Sequence, residues 1–246
     1  MKKLLMVMAA TISTSVAATP AINIGAMHSF IEPERSTLLK QIRNNGSSTA
    51  YVRITATEIE FGEAGKTQEK EIDREGLLRG EGHGLVVSPA RMIIPAEGMQ
   101  ANRMLVVGER DVERYYRVRF VPVVPDSATD FGLTPEQAEN YEKEVNAGIS
   151  IMAGYGAIVV VRPEHAQYET VIDETSNQVT VTNRGNSTAV LDAFAQCEEK
   201  QVNCHSYRVR YLRPGSSVTV DKKAGESFQF TLVEGQNQTK MAFGDL

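Results

Sequence analysis

Four histidines, two cysteines and scattered carboxylates are the residues of this 246-residue chain that could do chemistry, and their spacing argues against most of it. His28, His83, His165 and His205 stand far apart, with no H-x-x-x-H pair to hold a metal. There is no G-x-S-x-G elbow, no P-loop and no G-x-G-x-x-G after a strand. Gly82-His83-Gly84 reads as a turn, and His205, beside Cys204, as a loop cap. The pattern implies no catalytic residue, no metal and no cofactor. A carbohydrate-active β-sandwich enzyme would need two carboxylates at a set separation in a cleft, which spacing along a chain does not reveal. Cys197 and Cys204 lack the C-x-x-C spacing of redox and metal sites, and no second pair accompanies them. In an exported chain an even count of neighbouring cysteines reads as a disulfide. A hairpin staple of this span stabilises by roughly 2–2.5 kcal/mol in the chain-entropy model.

Export is what the N-terminus indicates. Lys2 and Lys3 form a positive start, Leu4 to Ala10 is apolar, and Val16-Ala17-Ala18 offers small residues for cleavage after Ala18. This is the three-part secretory signal, too short for a membrane span. The longest later apolar run is Ala157–Val161, so no membrane insertion is expected. Removing residues 1–18 takes away two lysines and no acid, and lowers the net charge from −5 to −7. So acidic a chain is a poor candidate for nucleic-acid binding.

The elements are read from periodicity. Val52, Ile54 and Ala56 alternate with polar neighbours, as do Tyr116, Val118 and Phe120, and Phe228, Phe230 and Leu232. Val179–Thr182 and Val218–Val220 alternate in the same way. Such period-two patterns predict half-buried strands. Turn signals separate them, among them Asn44-Asn45-Gly46, Asn183-Arg184-Gly185-Asn186 and Arg213-Pro214-Gly215-Ser216. Many short strands at this spacing predict an all-β sandwich or barrel. Leu133–Asn146 breaks the rhythm: Thr134 is placed as an N-cap, Pro135 at the first helical position, and polar residues follow. It reads as a long excursion with a helical turn or two, too polar for a core helix. Gly148–Val161 then reads as one long strand, and Arg162-Pro163 stops it. The rhythm restarts after Pro163, so the chain divides into the signal (1–18), a first β domain (19–161) and a second (162–246).

Three stretches carry a family resemblance. Gly84–Pro89 followed by Ile93-Ile94-Pro95-Ala96 looks like the "L-x-x-x-P…L-x-P-A" strand pair of periplasmic chaperones of the chaperone–usher pilus pathway. Glu113-Arg114-Tyr115-Tyr116-Arg117-Val118 is similar to their F1 strand, and the Cys197–Cys204 hairpin before Tyr211–Gly215 resembles the stapled second domain of the branch that serves the common pilus and colonisation-factor fimbriae. The resemblance implies two immunoglobulin-like β-sandwiches set at an angle, periplasmic location, and a non-enzymatic activity. That activity is donor-strand complementation: an extended strand fills the open core groove of a pilin, which then passes to an outer-membrane usher. The donor residues would be Ile149, Ile151 and Ala153, with Tyr155 on the same face; the bland reading packs them in this protein's own core. The family's cleft Arg and Lys, which bind the subunit's C-terminal carboxylate, fall here on Met27-His28 and Ile158. Arg117 and Arg119 are the substitute candidates, with Arg53 a weaker third, against an ordinary solvated sheet face. Arg162 matches the hinge arginine, and Glu113 and Glu234 stand where its acidic partners would fall. A dimer capping its own donor edges is a further expectation. The rival class is a structural subunit or adhesin of a surface fibre, for which Ala21-Ile22-Asn23-Ile24-Gly25 could serve as an alternating N-terminal extension.

Overall fold

The structure is a computed structural model that describes residues 19–62, 66–125, 130–146, 151–198, 202–223 and 225–244. The expected secretory signal, its expected cleavage after Ala18, and Ile149 lie outside the described residues.

The first half of the chain runs β1 (Ile22–Asn23), β2 (His28–Ile31), β3 (Thr37–Asn44), β4 (Ala50–Phe61), β5 (Thr67–Glu71), α1 (Arg74–Leu78), β6 (Gly84–Ser88), β7 (Arg91–Ile94), β8 (Met99–Val107), β9 (Arg114–Pro122), α2 (Pro135–Asn146) and β10 (Tyr155–Val161). Its strands form two facing sheets, β1-β3-β8-β6 and β2-β10-β9-β4-β5, with β7 also on β4. The alternation read from the sequence is the reason. Val52 and Ile54 of β4, Val118 and Phe120 of β9, and Ile42 and Met104 of the opposite sheet are buried in one core, while the residues between them face outward. Period two places every second side chain on one face.

The second half runs β11 (Thr170–Glu174), β12 (Gln178–Asn183), β13 (Ala189–Glu198), β14 (Val202–Leu212), β15 (Ser217–Asp221), β16 (Glu226–Glu234) and β17 (Asn237–Gly244). The sheets β11-β12-β15 and β14-β13-β16-β17 enclose a core of Val179, Val181, Leu191, Phe228 and Phe230. Cys197 and Cys204 are joined across β13 and β14, where they sit directly opposite. The molecule is thus all-β, two immunoglobulin-like sandwiches in series.

The two sandwiches repeat one turn. Asn44-Asn45-Gly46-Ser47-Ser48-Thr49 ends β3, and Asn183-Arg184-Gly185-Asn186-Ser187-Thr188 ends β12. In each copy a buried asparagine ties the turn to itself. Asn44 Nδ2 donates to Ser48 O at 2.7 Å, and Asn183 Nδ2 donates to Ser187 O at 2.8 Å. The Oδ1 atoms accept from Gly46 N and Gly185 N at 3.0 and 2.9 Å. Only glycine fits at the third position, because a Cβ on Gly46 would lie 2.2 Å from Thr19 O and one on Gly185 2.3 Å from Gln167 O.

Two readings are corrected. Leu133–Asn146 is not a turn or two but carries a 12-residue helix. Thr134 and Gln137 cap it reciprocally, with Gln137 N donating to Thr134 Oγ1 at 3.2 Å and Thr134 N to Gln137 Oε1 at 2.8 Å. Polar as it is, it buries Tyr141 and Val145. Of the strand expected over Gly148–Val161, residues 148–150 lie outside the described residues, and among the rest regular strand covers Tyr155–Val161 and not 151–154. Its partner runs out: β9 ends at Pro122, which has no N–H to give, and Val123 N donates instead to Tyr51 O on β4 at 2.8 Å.

Candidate functional site

Strand β10 is covered unequally on its two edges. β9 pairs with it antiparallel from Tyr155↔Phe120 to Val161↔Arg114. On the other edge β2 pairs in parallel only from Ile158↔His28 onward. Among the described strands nothing covers that edge over Tyr155–Ala157, nor the segment 151–154 that precedes it. Ala157, Val159 and Val161 fill the first core, and Tyr155 packs against it. Upstream the pattern changes. Ile151 is 81% exposed and Ala153 is exposed too, so two of the expected donor residues meet no core of their own. Burial of an isoleucine side chain is worth about 1.5–3 kcal/mol, a stabilisation this chain alone does not realise at position 151.

The cationic candidates are already engaged. Arg117 Nε lies 2.8 Å from Glu69 Oε1, and Arg119 Nη2 2.6 Å from Glu69 Oε2, so both arginines share one carboxylate. A hydrogen bond from Thr57, together with those from the two arginines, holds Glu69 below the usual carboxylate range. Arg53 pairs with Asp130 at 2.7 Å, far along the sheet. Arg117, Ile158 and His28 form one row across β9, β10 and β2. This row is one wall of a cleft of about 230 Å³ whose other wall is Thr188, Tyr211 and Arg213 of the second sandwich. The His28 ring stacks on Tyr211 with centroids 4.0 Å apart, and burial lowers its pKa. The Arg213 guanidinium sits 3.6 Å from the Phe61 ring centroid. Tyr211 and Arg213 were read from sequence only as part of the stretch after the stapled hairpin and not as cleft residues, because they belong to the other half of the chain.

The junction below the cleft is a buried polar network. Arg162 is 2% exposed and lies 4.4 Å from the Phe30 ring centroid. Its guanidinium donates to Ser187 Oγ at 2.7 Å and Thr188 O at 2.9 Å, and sits 3.1 Å from Glu32 and 3.7 Å from Glu113. Glu113 in turn accepts from Ser187 Oγ, Thr188 N and the Tyr115 hydroxyl. Ser187 and Thr188 belong to the repeated turn, so the second copy of that turn plugs into the first sandwich. The contact expected between Arg162 and Glu234 does not form. Glu234 accepts from Thr170 Oγ1 at 2.7 Å within its own sandwich, and Glu32 takes the place at Arg162.

Arg110 is a second junction residue that sequence reasoning passed over. It donates to five carbonyl oxygens, those of Ile31, Glu32, Pro33, Arg35 and Arg162, at 2.7 to 3.2 Å. It closes the turn after β2 onto the end of β10. A lone arginine between two acidic residues in a loop carries no sequence signal for that role.

No protein-family model matches the chain. It is 28% identical over 218 residues to the probable fimbrial chaperone EcpB of Escherichia coli O157:H7, covering 88% of each chain. Among solved structures it matches the class 5 fimbriae chaperone CfaA with a TM-score of 0.54 at 19% identity, covering 92% of this chain and 100% of that one. It matches the CsuC–CsuE chaperone–tip adhesion subunit pre-assembly complex from the archaic chaperone-usher Csu pili of Acinetobacter baumannii with a TM-score of 0.52 at 13% identity, covering 90% and 97%. At these identities the solved structures speak for the fold: two β-sandwiches in series.

Proposed function

We infer that this chain is a periplasmic fimbrial chaperone of the chaperone–usher class, on the common-pilus branch, and that it binds pilus subunits by lending them the segment leading into β10. The observation that carries the reading is Ile151, an isoleucine left 81% exposed beside an open strand edge. A subunit lacking its last strand offers the complement. Its backbone pairs with the free edge of 151–157, and alternate side chains fill its groove. Ile149, Ile151 and Ala153 are the proposed donors. Tyr155, packed against the chaperone's own core, marks where donation ends.

The other parts follow the same logic. Arg117 and Arg119 are the proposed anchors for the subunit's C-terminal carboxylate. Sharing Glu69 between them, they retain one positive charge in excess, which an incoming carboxylate can meet. The Arg162–Glu113 network is proposed to set the angle between domain 19–161 and domain 162–246. Strand exchange at an outer-membrane usher, as the family implies, releases the subunit into a better-packed partner without nucleotide or catalytic chemistry. The relatives are chaperones, and a non-enzymatic role is part of this reading. In the free state a dimer capping its own donor edges protects an apolar edge that would otherwise favour aggregation.

The fibre-subunit reading is weakened by the segment that suggested it. Ile22 and Ile24 are 5% and 3% exposed, and β1 pairs with β3, so 21–25 is part of its own sandwich and not a free extension. The test is co-expression with the pilin encoded beside the gene, followed by recovery of the complex from periplasm. Ile151→Asp places a charge in the subunit's groove and is expected to abolish recovery. Wild-type recovery would exclude donation by this segment.

A further inference from the structure

Helix α2 and its flanks form a third apolar cluster, separate from both sandwich cores. Tyr141 and Val145 of the helix meet Tyr51 of β4, joined by Val123, Val124, Phe131, Leu133 and, from the other side of the excursion, Met152. The attachments are several and unrelated. The Tyr51 ring makes edge contacts with Tyr141 and Phe131, centroids 4.7 and 5.2 Å apart. The Tyr141 hydroxyl donates to Thr49 O at 2.8 Å. Asp130 bridges Arg53 and Arg91 at 2.7 and 3.0 Å. Merely joining β9 to β10 would need no helix, since a short turn connects antiparallel neighbours.

Met152 is the informative member. It is the residue between Ile151 and Ala153, and it is drawn into the cluster while both neighbours face solvent. Upstream of the regular strand, Ile151, Met152 and Ala153 still run exposed, half-buried, exposed, the order in which successive side chains of an extended chain point to opposite faces, so holding Met152 fixes the facing of those beside it. A one-residue slip would send Ile151 and Ala153 inward and present Met152 instead. We propose that α2 is a register clamp for the donor segment: it holds Met152 against Tyr51, Tyr141 and Val145, and thereby commits Ile151 and Ala153 to face the incoming subunit. Met152 and Tyr141 are therefore positioning residues that touch no subunit. The clamp rests on the strand-donation reading and adds its control.

The clamp can open because α2 is short. A helix of 12 residues is marginal in water and depends on packing of its buried face. With Tyr141 or Met152 removed, the segment samples other facings, and affinity falls in proportion to the fraction still competent.

The experiment uses the full chain co-expressed with its neighbouring pilin, reading the complex recovered per chaperone and the thermal unfolding midpoint of the free chaperone. Met152→Glu, which cannot enter the apolar cluster, and Tyr141→Ala are expected to lower recovery by about five-fold or more, as when the competent fraction falls to about a fifth. The main unfolding transition should hold, and Met152→Leu should recover the wild-type yield. A merely structural helix would move the midpoint and the yield together. If Met152→Glu and Tyr141→Ala bind like wild type while Ile151→Asp abolishes recovery, the clamp is wrong and donation stands. Wild-type recovery from Ile151→Asp as well would overturn both. Should Tyr141→Ala fail to fold, Met152→Glu decides alone, since it lies at the cluster's margin.

Discussion

Glu113 carries more of the junction than its single charge suggests. Its side chain is 2% exposed, and it answers Arg162, Ser187, Thr188 and Tyr115 at once. Burial, and then the Glu113 charge beside it, push the Tyr115 hydroxyl far above its ordinary pKa, so that hydroxyl stays a donor. Removing one member of a buried pair strands the other, which costs about 3–5 kcal/mol. Glu113→Ala is expected to destabilise by that order in urea unfolding. Arg162→Met with Glu113→Gln should cost clearly less than the sum of the single changes, because each single change already loses the contact between the two, while the loss at Glu32 is counted once. Additive losses would show that the two residues act independently. Arg162 and Glu113 were legible in the sequence only through family resemblance. Glu32 was not, because it reaches the hinge from a turn 130 residues away in sequence. Arg110 was illegible for a related reason: its five acceptors are backbone oxygens, and no residue type announces a carbonyl that is about to be left unpaired.

At the scale of elements, strands were easier to read than the excursion between β9 and β10. The alternation in β4, β9, β12 and β16 is written in the residues because one face of each meets a core. Helix α2 was under-read for the opposite reason. Of its 12 residues only Tyr141 and Val145 are buried, so its apolar stripe is too thin to stand out among glutamates. The strand expected over Gly148–Val161 was over-read in extent: the described residues 151–154 are outside β10, because apolar alternation marks which residues could share a face and not whether this chain supplies a neighbour for them. The disulfide lends itself to a test at this scale. Cys197 and Cys204 tie β13 to β14 beyond the irregular pairing around Phe194. Reduction is expected to destabilise the second sandwich by roughly 2 kcal/mol, with the first unaffected, because the staple closes a loop within one unit only. Proteolysis with and without reductant reads this as faster cleavage between residues 170 and 244. Equal acceleration in both halves would mean that the staple acts across the junction.

For the whole molecule, the relation between the sandwiches is where the sequence was silent, because the contacting residues come from distant segments. His28 stacking on Tyr211 is the clearest case: the two lie on β2 and β14, and neither has a sequence feature pointing to the other. The contact makes the junction sensitive to acid. Burial lowers the pKa of His28 below its ordinary value of 6.5, so the folded chain takes up a proton less readily than the unfolded one. The contribution is fully present above pH 6.5 and is lost as pH falls through the folded value. The surroundings agree with that sign, since the cations Arg117 and Arg213 share the cleft and Tyr211 is uncharged throughout this pH range. Wild type should therefore lose stability relative to His28→Phe as pH falls from 7.5 to 5, with carboxylate titrations common to both cancelling in the difference. Small-angle scattering over the same range should show the wild-type sandwiches separating first. Parallel stability curves for the two proteins would place the acid response elsewhere, leaving the stack as packing alone.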